Sequence, residues 1–283
     1  MLLAVLSCCV LEACGSSDAP APPTSPAATR AAAEVHASGL SLVAPPVPKD
    51  ACVRAADAPS ELRFTQAPVP SSLLDGFAIL RRAKAGRDRL PASSRDQLRT
   101  DGVRTVYAAY VRRVGRIASG SAYFVIPATV RSRLDARCLR RLSPGARAAQ
   151  RRLARRLQRT LFVFLTNFEN GGGSFAVPAA AALAGRAFAS SDGPESDDPL
   201  RVPISVAVLA PDEAATVEAR YPGVATITAR VRENFATFVH TLKLAPDARR
   251  FPNFHPETAI FKRSDGGAFL QSRPPADAPS FGQ

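Results

Sequence analysis

The last third of the chain restricts the fold most, because short apolar segments alternate there with turn-forming residues. Val, Ile, Thr and Phe are frequent in these segments, and pairs such as Pro211-Asp212, Pro222-Gly223 and Glu233-Asn234 separate them. Such runs, bounded by such pairs, are typical of strands joined by tight turns. The predicted strands are residues 204–209, 215–220, 225–231 and 235–242, followed by a hairpin over 258–262, 264–267 and 268–271. This spacing predicts an antiparallel sheet, arranged as a meander or a sandwich.

The part before it mixes helical and strand patterns, so the expected fold class is α+β, with N-terminal helices and short strands packed on the C-terminal antiparallel sheet. Ser71 and Ser72 cap a helix that we expect to end near Arg82, and Pro91 with polar residues 93–97 indicates a loop. Residues 103–114 fit a helix or a strand. The other expectations are a strand over 123–126 stopped by Pro127, a buried strand over 161–165, a turn over 170–173, an Ala-rich helix over 178–186 and an acidic loop over 190–198.

The clearest helix signal begins at Ser143-Pro144, because a capping serine followed by proline is typical of a first helical turn. Apolar residues follow at spacings of three and four, and arginines occupy the other side. The arginines are Arg147, Arg151, Arg152, Arg155, Arg156 and Arg159. This stripe is a candidate anion-binding face; the alternative is the solvated outer face of a packed helix.

Charge is concentrated in one part of the chain. Residues 81–160 contain 22 Lys and Arg against four Asp, and the rest contains 15 basic and 20 acidic residues. A cationic surface of this kind attracts anionic lipid headgroups or an anionic envelope polymer. It would also bind nucleic acid without sequence preference, but nucleic acid is not a physiological partner for an exported protein, which the N-terminus predicts.

The N-terminus resembles a bacterial lipoprotein signal. An apolar run, residues 2–11, ends shortly before Ala13-Cys14, and a segment rich in Ala, Pro, Ser and Thr follows. The run is too short to span a bilayer as a helix. The resemblance implies that Cys14 is lipidated and becomes the new N-terminus, which anchors the protein on the outer face of the cytoplasmic membrane. A secretory signal without lipidation is the alternative.

These features divide the chain into five segments. They are a signal peptide (1–13), a tether (14–49), a cationic α+β part (50–199), an antiparallel β-module (200–273) and a disordered tail (274–283). Removal of the signal and lipidation of Cys14 leave Cys52 and Cys138, which an oxidising compartment favours as a disulfide. Two separate free thiols are the alternative.

A second resemblance connects distant parts of the sequence. The run from Val208 to Asp212, the Tyr221-Pro-Gly223 turn and the run from Val231 to Phe235 are similar to a V-P-D-G…V-x-x-N-x-F pattern, with Glu213 in place of its glycine. This pattern resembles a β-module of uncharacterised exported proteins of actinobacteria. Phe77 to Arg82 and Asp88 to Pro91 are similar to the same proteins. The resemblance implies a family and no activity.

Motifs that carry a known reaction are absent from the sequence, which contains no nucleophile elbow, phosphate-binding loop, zinc-protease helix or C-x-x-C pair. His36, His240 and His255 lack metal-ligand spacing, the Gly171–Ser174 run favours a turn over an anion cradle, and the acidic residues Asp192, Glu195, Asp197 and Asp198 lack a calcium-loop frame. We therefore expect no metal and no cofactor. The sequence favours a non-enzymatic binding or structural module; an exported hydrolase with a site formed by scattered residues is the alternative. It indicates no oligomeric state.

Overall fold

The computed structural model describes residues 39–48, 50–55, 61–116, 122–168, 175–192, 201–221, 226–243 and 256–273. The helices are α1 (Ser71–Gly76), α2 (Ala78–Arg81), α3 (Ser94–Thr100), α4 (Ala136–Arg140), α5 (Pro144–Gln158) and α6 (Ala179–Leu183). The strands are β1 (Val53–Ala55), β2 (Arg63–Thr65), β3 (Val103–Tyr107), β4 (Arg112–Arg116), β5 (Ala122–Val130), β6 (Ser132–Leu134), β7 (Leu161–Asn167), β8 (Phe175–Pro178), β9 (Ala187–Asp192), β10 (Arg201–Leu209), β11 (Thr216–Arg220), β12 (Ile227–Arg230), β13 (Phe235–Lys243), β14 (Thr258–Lys262) and β15 (Ala268–Ser272). The α+β fold class is confirmed.

A six-stranded sheet forms the first layer. Its strands run in the order β2-β3-β5-β7-β8, and β4 also pairs with β5. Only the β2–β3 pair is parallel. Successive residues of β5 and β7 point to opposite faces, and both faces are buried. One face packs against Leu98 of α3, and the other packs on α1, α2 and α6.

The C-terminal strands form two further layers, so the sandwich arrangement is confirmed over a single meander. One sheet has the order β13-β10-β9 and the other β12-β11-β14-β15, with every pair antiparallel. Along β10, Ala207 and Leu209 belong to the core shared with the first layer, whereas Val206 and Val208 belong to the core shared with the four-stranded sheet. The three-stranded sheet is therefore the buried middle layer. Its β9–β10 pair joins residues on both sides of the expected 199/200 boundary.

Several local expectations are confirmed with small changes in their bounds. The Ser143-Pro144 helix is α5, the buried strand is β7, the Ala-rich helix is α6, and the predicted C-terminal strands and closing hairpin are β10 to β15. The ambiguous residues 103–114 form β3, a short 3-10 turn (Ala108–Tyr110) and the start of β4. The expected turn over 170–173 lies outside the described residues, and β9 takes up the first residues of the expected acidic loop.

Two other expectations are wrong. The polar run 93–97 is largely helical, within α3, because Leu98 anchors that helix in the core. Pro127 does not stop a strand, since β5 continues to Val130. On one side of β5 the partner changes from β4 at Val125 to β3 at Ala128. Pro127 lies between these two positions, where its missing N–H costs no ladder bond on that side.

The expected helix from Ser71 to Arg82 is broken at Phe77, whose backbone is extended and separates α1 from α2. Distant side chains, Asp212 and Asn234, accept hydrogen bonds from the next two backbone N–H groups, as described below. Tertiary contacts therefore hold the break that follows Gly76.

The folded body begins inside the segment that the sequence assigns to the tether. Leu40 and Leu42 are buried in the core between the first two layers, and Ser41 forms a parallel bridge with Thr160. The alternation of the two leucines around a paired serine is that of a short strand. The body therefore extends at least to Gly39 on the N-terminal side.

Candidate functional site

The arginine stripe predicted from the sequence lies on α5, which is held by polar contacts on its inner side. The Gln150 side chain accepts a hydrogen bond from the Cys52 N–H at 3.1 Å. The Ser132 hydroxyl donates to the Ala154 carbonyl at 3.1 Å, and Gln158 donates to the Ser132 carbonyl at 3.2 Å. Ser143 caps the first turn by accepting from the Ala146 N–H. These bonds fix which side of α5 faces solvent.

The outer side of α5 is arginine-rich and open. Arg151, Arg152, Arg155, Arg156 and Arg159 are exposed, and Arg147 is half-buried at the border of the contact with the body. In the part of the chain that the structure describes, none of these six side chains forms an ion pair. Six like charges over four turns repel one another, and an external anion would relieve this repulsion.

The preceding helix α4 extends the charge. Arg137, Arg140 and Arg141 are exposed just before α5 begins, and no Asp or Glu occurs from residue 136 to residue 168. We call the exposed arginines of α4 and α5, together with Arg141 and the C-cap residue Arg159, the arginine face. It is cationic over its whole length because no acidic residue of its own segment neutralises it.

A disulfide ties the arginine face to the body. Cys52, fully buried before β1, is bonded to Cys138 in α4, with the two Cα atoms 5.4 Å apart. The Asp135 carboxylate caps α4 by accepting from the N–H groups of Arg137 and Cys138. The predicted pairing of the two cysteines is confirmed. The bond spans 86 residues of sequence.

The N-terminal segment joins the body at the end of the arginine face. The Ser41 N–H donates to the Arg159 carbonyl at 2.9 Å, and the Leu161 N–H donates to the Ser41 carbonyl at 2.8 Å. The chain that leads from Cys14 therefore meets the fold beside Arg159, the C-cap residue of α5. The sequence alone contained no signal for this neighbourhood.

A buried ionic network lies on another part of the molecule. Asp88, with no exposed surface, accepts hydrogen bonds from the N–H groups of Ala85 and Arg113 and from the Arg82 guanidinium, at 2.7–2.9 Å. Burial acts to raise the pKa of Asp88, but these three bonds outweigh it and hold the pKa below its ordinary value. The Asp88 carboxylate is therefore charged when the protein is folded at neutral pH.

The buried Arg112 stabilises the same region through bonds to backbone carbonyls. Its guanidinium donates to the carbonyls of Leu80, Arg82, Ala109 and Val111, which include those at the end of α2. Burial lowers the pKa of Arg112, and the nearby Asp88 carboxylate opposes this shift. The sequence did not predict this network: Arg82 and Asp88 belong to noted patterns, but nothing in the sequence links them to each other or to Arg112.

The residues of the V-P-D-G…V-x-x-N-x-F pattern meet in space. The Asp212 carboxylate accepts from the Ala78 N–H, from Arg81 at 2.8 Å and from the Asn234 amide at 2.8 Å. The Asn234 oxygen accepts from the Ile79 N–H at 2.8 Å, and its amide donates to the Ala210 carbonyl. We call Asp212 and Asn234 the clasp. It joins α2 to the β-module, so the role of these two residues is structural.

Other predicted positions cannot be placed beside these sites. Cys14, His36, His255, Gly171–Ser174 and the acidic residues after Asp192 lie outside the described residues, as do the side chains of His240 and Asp192. Among the side chains that are described, no three His, Cys, Asp or Glu converge as a metal would require. No helix in the described ranges combines the length and apolarity needed to cross a bilayer.

Comparison with known proteins returns no match: no protein-family model, no curated protein and no solved structure is significantly similar to this chain.

Proposed function

We propose that this protein is an exported, lipid-anchored envelope protein, of the actinobacterial type that its sequence pattern resembles, and that its arginine face binds anionic lipid headgroups. The observation that carries the proposal is the bond between Ser41 and the backbone at Arg159 and Leu161. It brings the segment that follows Cys14 to the end of the arginine face. A chain anchored at Cys14 would therefore present that face to the membrane.

The reach of the tether is compatible with this arrangement. Gly39 is 25 residues after Cys14, a stretch that spans at most about 90 Å when fully extended. Two acyl chains hold a protein stably at a bilayer, whereas one chain binds only marginally. A charged face adds to such an anchor, because each arginine near an anionic surface contributes about 1 kcal/mol. The face would then set the orientation of the body on the membrane.

The test is vesicle binding by the full chain carrying Cys14→Ser, which cannot be lipidated. We expect it to sediment with vesicles containing phosphatidylglycerol at low salt, and to be released by raised salt or by purely zwitterionic vesicles. Replacing Arg151, Arg152, Arg155 and Arg156 with Gln should lower the partition coefficient at least thirtyfold, since even half of about 4 kcal/mol corresponds to that factor.

A matched control changes the same net charge elsewhere. Arg104, Arg220, Arg230 and Arg232 are exposed and, within the described ranges, belong to no ion pair. Their replacement with Gln should reduce binding by only a few-fold. Equal losses in the two quadruple variants would contradict the proposed face. Binding to an anionic envelope polymer but not to vesicles would assign the face to another partner.

The anchor is tested separately, by intact-mass analysis of the chain isolated from bacterial membranes. We expect loss of residues 1–13 and a diacylglyceryl adduct on Cys14, both absent after Cys14→Ala. An unprocessed N-terminal Met1 on the membrane-derived protein would refute the anchor without affecting the vesicle result.

A further inference from the structure

A cleft next to the buried network has the features of a second, smaller binding site. Its volume is about 540 Å³, within the usual range of about 300–1,000 Å³ for small-molecule sites. It lies between the edge strand β2 and the chain that leads from α2 into α3. The side chains that matter are Phe64, Lys84, Arg89, Leu90, Arg95 and Val111.

One wall of the cleft is aromatic and cationic. Phe64 is a large apolar side chain on an edge strand, yet 43% of its surface is exposed. The Arg95 guanidinium lies 5.4 Å from the centre of its ring. Leu90 and the buried Val111 add apolar surface. A flat ring can pack on Phe64 and on the guanidinium plane, because both offer a broad face.

The charges of the cleft favour an anion. Lys84, Arg89 and Arg95 are cationic and exposed, whereas the only carboxylate among the described lining residues, Asp88, is already bonded to Arg82 and two backbone N–H groups. The Lys84 ammonium donates to the Ala108 carbonyl at 2.8 Å, which fixes its position and leaves two of its three protons for another acceptor. Within the described residues, Arg89 forms no ion pair or side-chain hydrogen bond.

The cleft is also preformed. Asp88 and Arg112 tie together two of the segments that line it, the chain after α2 and the turn before β4, through their bonds to Arg82, Arg113 and the carbonyl of Val111. Both side chains are buried, so the network is shielded from water. A site held in this way loses little conformational freedom on binding.

We infer that this cleft binds a small organic anion with a flat apolar ring, such as an aromatic carboxylate or sulfonate, with the ring against Phe64 and Arg95 and the anionic group at Lys84. This inference is independent of the arginine face, which lies on other helices. It concerns binding only and includes no chemical step.

The probe is 8-anilinonaphthalene-1-sulfonate, and the matched control is N-phenyl-1-naphthylamine, which has the same ring system without the sulfonate. Fluorescence titration of the full chain carrying Cys14→Ser, in the absence of vesicles, should give one sulfonate site per chain and about tenfold weaker binding of the neutral amine. Lys84→Gln and Arg95→Gln should each weaken sulfonate binding about tenfold, since each removes a charge-assisted contact.

Control variants distinguish binding in the cleft from non-specific attraction to positive charge and from binding at the arginine face. Arg99→Gln, also on α3 but outside the cleft, and Arg151→Gln, on the arginine face, should change the dissociation constant by less than about twofold. Circular dichroism should show that all variants keep the parent fold, because the replaced side chains are exposed. Equal binding of the two probes, or sulfonate binding insensitive to Lys84→Gln and Arg95→Gln, would overturn the inference whatever the vesicle result.

Discussion

Asn234→Ala should be among the most damaging single substitutions in this protein, because Asn234 is the centre of the clasp. Its side chain is buried and makes three hydrogen bonds, to the Ile79 N–H, the Ala210 carbonyl and the Asp212 carboxylate. Its backbone φ is +62°, a left-handed conformation that Asn tolerates better than Ala does.

The magnitude follows from these contacts. An unsatisfied buried group costs about 1–3 kcal/mol, and a left-handed non-glycine residue adds about 1 kcal/mol or more. The loss of partners for both Ile79 and Ala210, with the added strain, predicts about 3–5 kcal/mol of destabilisation for Asn234→Ala. Asn234→Gly loses the same hydrogen bonds, but glycine adopts the left-handed backbone conformation without strain. Its cost should therefore be about 1 kcal/mol smaller than that of Asn234→Ala.

The assay is urea unfolding followed by far-ultraviolet circular dichroism, since the chain contains no Trp. Glu233→Gly is the control, because Glu233 precedes Asn234, also has a positive φ, and is exposed. It should leave stability unchanged or raise it by up to about 1 kcal/mol. If Asn234→Ala and Asn234→Gly both unfold within about 0.5 kcal/mol of the parent, the clasp does not hold α2 to the β-module and our reasoning fails.

Three other expectations concern stability. The double substitution of Cys52 and Cys138 by Ala should destabilise the fold by about 4–5 kcal/mol in the chain-entropy model, because the disulfide closes a loop of 86 residues. Unfolding curves of the parent and the variant, recorded under the same oxidising conditions, would measure this difference. The lowered pKa of Asp88 contributes stability that is fully present above the unfolded-state value near 3.8 and is lost as the pH falls through the lower folded-state pKa. Asp88→Asn should therefore be less stable than the parent at pH 7 and should lose less stability than the parent below pH 4. The midpoints of urea unfolding at a series of pH values would measure both effects. Gly115→Ala should cost about 1–3 kcal/mol, because its Cβ would lie 2.3 Å from the Phe235 ring; a Phe235→Leu background should relieve part of that cost, and additive losses in the double variant would contradict the clash.

Strands of the C-terminal third could be predicted from the sequence because their signals are local. β-branched residues are frequent in β10, β11 and β13, and turn pairs separate these strands, so the signals need no knowledge of the partner strand. How the strands divide between two sheets depends on long-range pairing, such as that of β11 with β14. The sequence predicted the elements more accurately than their order in space.

Errors in the N-terminal half have the same origin. The Asp75-Gly76 pair before Phe77 is a local turn signal, but the side chains that hold the break, Asp212 and Asn234, lie 134 and 155 residues from the N–H groups that they bond. Pro127 lies within β5 where the neighbouring strand changes. Both outcomes depend on contacts between segments that are distant in the sequence.

The candidate sites differ in how far they could be predicted. Arginines at spacings of three and four on α5 are visible in the sequence, and the exposure of most of them confirms the expected helix side. The cleft around Phe64 was not visible, because its residues come from β2, from the chain between α2 and α3, and from the turn before β4. A site that combines separate segments leaves no periodic signal.

The bridge between Ser41 and Thr160 also determines how the fold would respond to mechanical force. A pull on the N-terminal segment is transmitted first to two backbone hydrogen bonds, those that Ser41 makes with Arg159 and Leu161. Leu40 and Leu42 resist the same pull because they would have to leave the core. Under load, residues 39–43 should therefore detach first, while the three sheets remain folded. The lost contacts can form again when the tension is released.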